Sequence, residues 1–256
     1  VREVRTHPAS PESADIVPRL RTGTLPFSWV PARLVIDDPH KARGRLPRNQ
    51  LMFSRLSELV GSPGARLDIV SAYFVPGPRM VAELAELEQR GVEIRVFTNS
   101  LEATDVAPVH AGYAKYRIRL LRAGVELFEL RPGSAAADRR ADLGIAGSSS
   151  TSLHAKVFAV DGNVLYVGSF NFDPRSMFLN TEMGLVIEST ELAQRLHAAF
   201  TDNARGAYRP LLRDGALIWQ ERRDGRVITH AREPGTTFLQ RLTVRIIGRL
   251  PVHWLL

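Results

Sequence analysis

His154 and Lys156 are two residues apart, and after them come Asp161, Gly168, Ser169 and Asn171, giving the string H-x-K-x4-D-x6-G-S-x-N. An imidazole can attack phosphorus or carry a proton, an ammonium can hold an anionic oxygen, and a hydroxyl and an amide can donate to the remaining oxygens. Together these residue types suit transfer chemistry on a phosphate. Lysine is scarce, since Lys41, Lys115 and Lys156 are the only ones and arginine supplies the rest of the positive charge. One of the three lies beside the histidine, where a compact point charge fits a phosphate oxygen.

These side chains need an element that brings them together. Val, Phe and Tyr alternate on both sides of Asp161-Gly162, and Asp-Gly supplies the positive φ angles of a tight turn, so the spacing predicts an antiparallel hairpin. With a two-residue loop, Val160 faces Asn163, His154 faces Ser169, and Ser152 faces Asn171. His154, Lys156, Ser169 and Asn171 then share one face at the open end of the hairpin. Downstream, NTEMGLVIE reads as another strand, and Glu182 is an acid in a largely apolar run. A carboxylate there is either buried with a partner or exposed at a strand end.

The string resembles the signature of the phospholipase D superfamily. The segments SAYFVPG and HAGYAKYRIRLLRAGVELFEL are similar to stretches of bacterial cardiolipin synthases, in the C-terminal half of those enzymes. The resemblance spans about residues 27–256. It implies an α/β fold, a mixed sheet flanked by helices forming one lobe of a two-lobed enzyme. It also implies a phosphatidyltransferase acting on phospholipid through a phosphohistidine, with no metal or other cofactor. It assigns His154 to general acid and base work, Lys156, Ser169 and Asn171 to phosphate oxygens, Glu182 to orienting His154, and Asp161 to bracing the turn. His110 and Tyr113, on a helix that flanks the family's active-site mouth, are implied to touch substrate.

No second H-x-K-x4-D occurs in these 256 residues. One imidazole cannot attack phosphorus and protonate the departing alcohol in the same step, so a lone motif is half a site. The missing half is expected from an N-terminal lobe of the same protein or from a homodimer mate. The opening Val, in place of Met, favours sequence upstream. Rival readings are a nuclease-like phosphodiesterase acting as a symmetric dimer, with nucleic acid the less favoured partner, and a catalytically silent lipid-binding module.

Composition sets the outer bounds. The charge balance is basic, 34 Lys and Arg against 27 Asp and Glu, which suits an anionic membrane surface or a nucleic acid. Without cysteine there is neither a disulfide framework nor a thiolate metal site. Nowhere do roughly 20 apolar residues run uninterrupted, so the chain reads as soluble or peripheral, and the resemblance to bacterial cardiolipin synthases implies a peripheral place on the bacterial inner membrane. Residues 1–26 read as a linker or extended arm, 27–210 as the catalytic lobe, and 211–256 as a hairpin and amphipathic helix.

Within the lobe, a strand at 32–36 ends in Asp37-Asp38-Pro39, read as a turn. A helix at 49–60, a strand at 67–73, a helix at 78–90 and a strand at 92–98 follow, and the last three make a βαβ unit. Strand ends in open α/β sheets face the ligand crevice, which puts Ser71, Tyr73, Phe74, Asn99 and Ser100 near it. A helix at 104–123 leads to a strand at 125–130, and 131–152 reads as a loop. Ser189 caps a helix through Asn203, in which His197 is read as structural. In the tail, Arg241, Arg245 and Arg249 recur every four residues beside Phe238, Leu239, Leu242, Ile246 and Leu250, with Trp254 beyond. That pattern fits a helix in a membrane interface or one packed on its own domain.

Overall fold

The computed structural model describes residues 18–24, 27–44, 46–134 and 152–249. Of the expected linker or extended arm over 1–26, residues 1–17, 25 and 26 lie outside the described residues, as do most of the loop 131–152, Leu250 and Trp254, and residues 18–21 of that arm form a helical turn.

Seven strands form one mixed sheet. They are β1 (Ala32–Ile36), β2 (Arg66–Ser71), β3 (Glu93–Asn99), β4 (Glu126–Leu130), β5 (Lys156–Val160), β6 (Val164–Gly168) and β7 (Met183–Glu188), in the order β1-β7-β6-β5-β2-β3-β4. β2, β3 and β4 run parallel, while the pairs on the other side of β2 are antiparallel. The parallel part follows from the βαβ pattern, because each crossover needs a helix. Those helices are α2 (Gly77–Gln89) and α3 (Ala107–Ala123), which with α1 (Met52–Val60) cover one face of the sheet. α3 starts later than its periodicity suggests because Pro108 is taken into its first turn, and Gly124 at φ 106° ends it.

The short α4 (Pro174–Phe178) precedes β7, and α5 (Thr190–Ala204) lies on the opposite face. Ser189 caps α5 as its sequence predicts, accepting from the Leu192 N–H at 3.3 Å. Strand alternation divides the core accordingly. Ile94 and Val96 point to the α1–α3 side, and Phe97 to the α5 side against Phe200. A three-stranded sheet follows, β8 (Arg209–Arg213), β9 (Ala216–Arg223) and β10 (Arg226–His230), and then α6 (Phe238–Arg249). The β9–β10 turn is the expected Asp224-Gly225, both at positive φ.

The hairpin of the motif differs from its expected register. Asp161 and Gly162 take φ of 51° and 70°, and Asn163 N–H closes the turn on Val160 at 3.1 Å. The ladder then resumes at Val160↔Val164, so Asn163 is an extra residue, a one-residue bulge. That slip puts Lys156 level with Gly168 and moves Ser169 off the histidine's row. Gly168 itself pairs with Gly184. The ring of Tyr166 lies over both, and a Cβ at either position would collide with it.

Asp161 sets where this hairpin joins the parallel strands. Its carboxylate accepts the N–H groups of Gly64, Ala65 and Arg66, each at 2.8 Å, at the entry to β2. Burial acts to raise its pKa, but these donors outweigh it and hold the carboxyl below the usual range. The side chain is solvent-facing, so the freed N–H groups could partly rehydrate. Asp161→Ala is therefore expected to cost about 1–2 kcal/mol, read as a fall in the urea midpoint. Because the folded pKa is depressed, the contribution is complete above the unfolded value, about 3.9, and is lost as pH falls through the lower folded value. Equal midpoints for the two proteins at neutral pH would contradict the clamp.

Candidate active site

The floor of the site lies where the parallel and antiparallel halves of the sheet meet. Asn99, ending β3, donates from Nδ2 to the carbonyls of Ala72 at 3.1 Å and Leu153 at 3.2 Å. Its Oδ1 accepts the Leu153 N–H at 2.8 Å. The Ala72 N–H donates to Ala155 at 3.0 Å. The residues on both sides of His154 are thereby tied to the C-terminal ends of β2 and β3, while the imidazole itself is exposed. Lys156 opens β5 opposite Ser71, and its Nζ donates to the His154 carbonyl at 3.0 Å.

Charges set the resting state of this pair. The Lys156 ammonium beside His154, together with partial burial, lowers the imidazole pKa, and Asp105 opposes them. At neutral pH the free ring is therefore the uncharged base. Lys156 is itself lowered, chiefly by desolvation, against the pull of Glu182, Asp173 and Asp105. Asp105 also accepts from the Tyr73 hydroxyl at 3.3 Å. Asp173 is buried, which raises its pKa, and it caps α4 by accepting the Ser176 N–H at 2.8 Å.

A depression of about 420 Å³ opens here, in which His154, Lys156 and Ser169 share walls with Leu34, Val167, Met183 and Leu185. Leu34 and Met183 are 59% and 51% exposed. Leu34, Leu185 and Val167 form one cross-strand row, on the face that α5 covers only further along, over Ala159 and Leu165.

The expected site residues divide into three groups. His154 and Lys156 come together as expected, with Ser169 beside them. The Ser169 hydroxyl is already engaged, donating to Glu182 through a very short contact and accepting the Met183 N–H at 3.0 Å. Glu182 holds that hydroxyl, and no hydrogen bond joins it to the His154 ring. Asn171 accepts the Tyr73 N–H through Oδ1 at 3.4 Å, which leaves its Nδ2 without a partner among the described residues.

Asp161 is removed from the site. It lies seven residues along the strand from His154, roughly 20 Å at the usual rise per residue, with its carboxylate committed to backbone. The expected substrate contacts, His110 and Tyr113, are corrected. Each is only 2% exposed. His110 Nε2 is 2.9 Å from Glu233, and the Tyr113 hydroxyl donates to Glu129 at 3.0 Å. Arg117 bridges both acids, at 2.8 Å to Glu233 and 3.0 Å to Glu129. These groups tie α3 to the tail.

Sequence reasoning missed two acids near the site. Asp173 carried a local signal, an Asp before Pro with a serine three residues on, which reads as a helix cap. Asp105 carried none, because only the path of the chain after β3 brings it to Tyr73. A buried ion pair was also missed. Asp37 and Lys41 meet at 2.5 Å, Lys41 donates to the Ser176 carbonyl at 2.8 Å, and Asp37 accepts the N–H of Met52 at 2.7 Å and of Glu182 at 3.0 Å. Its neighbour Asp38 makes the expected turn, accepting the His40 N–H at 2.8 Å.

Residues 56–203 match the family model described as cardiolipin synthase, PLD-like domain. Cardiolipin synthase C of Escherichia coli K12 is 47% identical over 247 residues, 96% of this chain and 52% of that protein. Cardiolipin synthase A of Pseudomonas aeruginosa is 32% identical over 141 residues, 55% of this chain and 25% of that protein. The chain thus spans about half the length of the first of these curated relatives, and less of the second. Among solved structures, phosphatidylserine synthase of Haemophilus influenzae Rd KW20 shares the fold, with 15% identity and a TM-score of 0.54, over 99% of this chain and 56% of that one.

The coupling between Lys156 and His154 can be measured directly. In a titration followed by the His154 Hε1 resonance, the ring is expected to titrate below the usual histidine value of about 6.5. Lys156→Ala removes the neighbouring positive charge that penalises the imidazolium, so the pKa is expected to rise. An unchanged titration in that variant would show that the lysine does not set the proton affinity of the ring.

Proposed function

This chain belongs to the cardiolipin synthase, PLD-like domain family of the phospholipase D superfamily, and on that premise we propose that it forms one half-site of a phosphatidyltransferase acting on phospholipid phosphodiesters. The observation that carries the reading is the His154–Lys156 pair, an exposed imidazole beside an ammonium that donates to the His154 carbonyl at 3.0 Å where β5 opens.

In the first half of the reaction, an imidazole from a second lobe attacks phosphorus and forms a P–N bond. The P–O bond to the departing alcohol breaks, and His154 supplies the proton which that oxygen needs. In the second half, an acceptor alcohol attacks phosphorus, His154 takes its proton back, and the P–N bond breaks. Lys156 and the Asn171 amide hold the non-bridging oxygens. Glu182 fixes Ser169, and through it the join of β6 and β7 beneath the phosphate, which replaces the role of orienting His154. An anionic phosphodiester beside Lys156 offsets the charge that depresses the histidine, so substrate binding raises the proton affinity of His154 when an acid is required.

A second lobe is part of the reading. The exposed row Leu34, Leu185 and Val167, with Met183 next to it, runs up to the histidine and gives such a lobe an apolar face to cover. Whether it comes from the same protein or from a second copy, it must bring another imidazole. Among the described residues no helix is long and apolar enough to cross a membrane, and we take the lobe to act on lipid from the membrane surface.

In an enzyme assembled from this chain and its second lobe, His154→Ala and Lys156→Ala are each expected to lower turnover by about 10²–10⁴-fold with unchanged circular dichroism. The readout is cardiolipin formed from phosphatidylglycerol, with phosphatidylethanolamine as a second donor. Turnover near the parent's in either variant would remove this site from the mechanism.

A further inference from the structure

α6 packs on α3 through Val244 and Ile247, which meet Leu101, Ala107 and Ala111. What it turns outward is unusual for a helix on a water-facing surface. Phe238 is 70% exposed and Leu239 68%, with Leu242 and Ile246 exposed on the same side. At 3.6 residues per turn these four fall on one stripe, opposite the side that meets α3.

Positive charge borders that stripe. Arg245 and Arg249 line a groove of about 650 Å³ between α3, α6 and the β9–β10 hairpin, and Arg232 and Lys115 stand across it. Arg232, Arg245 and Arg249 form no ion pair or hydrogen bond with any described residue. The acid of the groove, Glu233, is spent on His110 and Arg117, which with burial opposing them hold its pKa down to about 2. The surface is therefore apolar along its crest and cationic along its flank, the complement of a bilayer with anionic headgroups.

Position ties this surface to the site. A cavity of about 290 Å³ has Asp105 on one wall and Leu239, Gln240 and Thr243 of α6 on the other. The same Asp105 receives the Tyr73 hydroxyl at the mouth of the histidine site. The first turn of α6 thus sits on the rim of that site.

We propose that α6 docks the protein on an anionic lipid bilayer, with Phe238, Leu239, Leu242 and Ile246 seated among the headgroups and Arg245 and Arg249 on lipid phosphates, which brings the membrane to the mouth of the His154–Lys156 site. The benefit to catalysis rests on the phosphatidyltransferase reading, while the docking itself does not.

The test is sedimentation of the full chain with vesicles of equal parts phosphatidylcholine and phosphatidylglycerol, and with vesicles of phosphatidylcholine alone. The chain binds the mixed vesicles and barely the neutral ones. Arg245→Gln with Arg249→Gln lowers the partition coefficient about 25-fold, about fivefold for each arginine. Phe238→Ser with Leu239→Ser lowers it at least about tenfold, since two large apolar side chains no longer enter the interface. Both pairs are exposed, so thermal midpoints stay at the parent value. Binding of the arginine pair equal to the parent's, equal binding to neutral vesicles, or arginine-dependent capture of duplex DNA without vesicle binding overturns the proposal. His154→Ala is the separating control. It binds vesicles as the parent does, and if it also retained turnover the catalytic reading would fall while the docking surface stood.

Discussion

The grip of Asp161 on the N–H groups of Gly64, Ala65 and Arg66 fixes how the two halves of the sheet join, and the site depends on that join. β5 is the first antiparallel strand beside the parallel β2; Lys156 opens it, and His154 lies two residues before it. Side chains alternate along a strand, so a slip of one residue against β2 would exchange the faces of histidine and lysine with those of Ala155 and Val157. Asp161 locks one end of the register, and the Asn99 amide locks the other, on Leu153. The acid of the motif thus acts at a distance, by fixing where the strand lies.

Around that join the molecule uses charge in two ways. Deep pairs are closed: Asp37 with Lys41, Asp68 with Arg95 and His197, and Arg117 with Glu129 and Glu233 each bury both signs together. Such pairs add little net stability against apolar replacements, but breaking one leaves a buried charge unmet, so they make the packing specific. The pair at the site is left open. Lys156 has carboxylates near it, yet its hydrogen bond goes to a carbonyl, and the charge it projects falls on His154.

Much of this was legible before the fold was seen, because hairpin chemistry, strand alternation and the βαβ pattern are local signals. The strands at the site, the positive-φ turn at Asp161-Gly162 and the Ser189 cap all follow from neighbouring residues. What could not be read is what depends on distant partners. Asn163 bulges as β6 settles between β5 and β7, with its carbonyl taken by the Ser189 N–H, so Ser169 left the row where simple counting put it. His110 and Tyr113 looked reachable on a helix by the mouth, but Glu233 and Glu129 draw them inward. Lys41, in an ordinary loop by sequence, is buried because Ser176, 135 residues away, supplies a carbonyl.

The central claim is that this chain holds one imidazole of a site that needs two. The most direct measurement takes purified residues 1–256, shown by light scattering to be monomeric, and assays phosphatidyl transfer on phosphatidylglycerol with and without a separately expressed second lobe. Turnover is expected only when the second lobe is present. Robust turnover from a proven monomer would contradict the account.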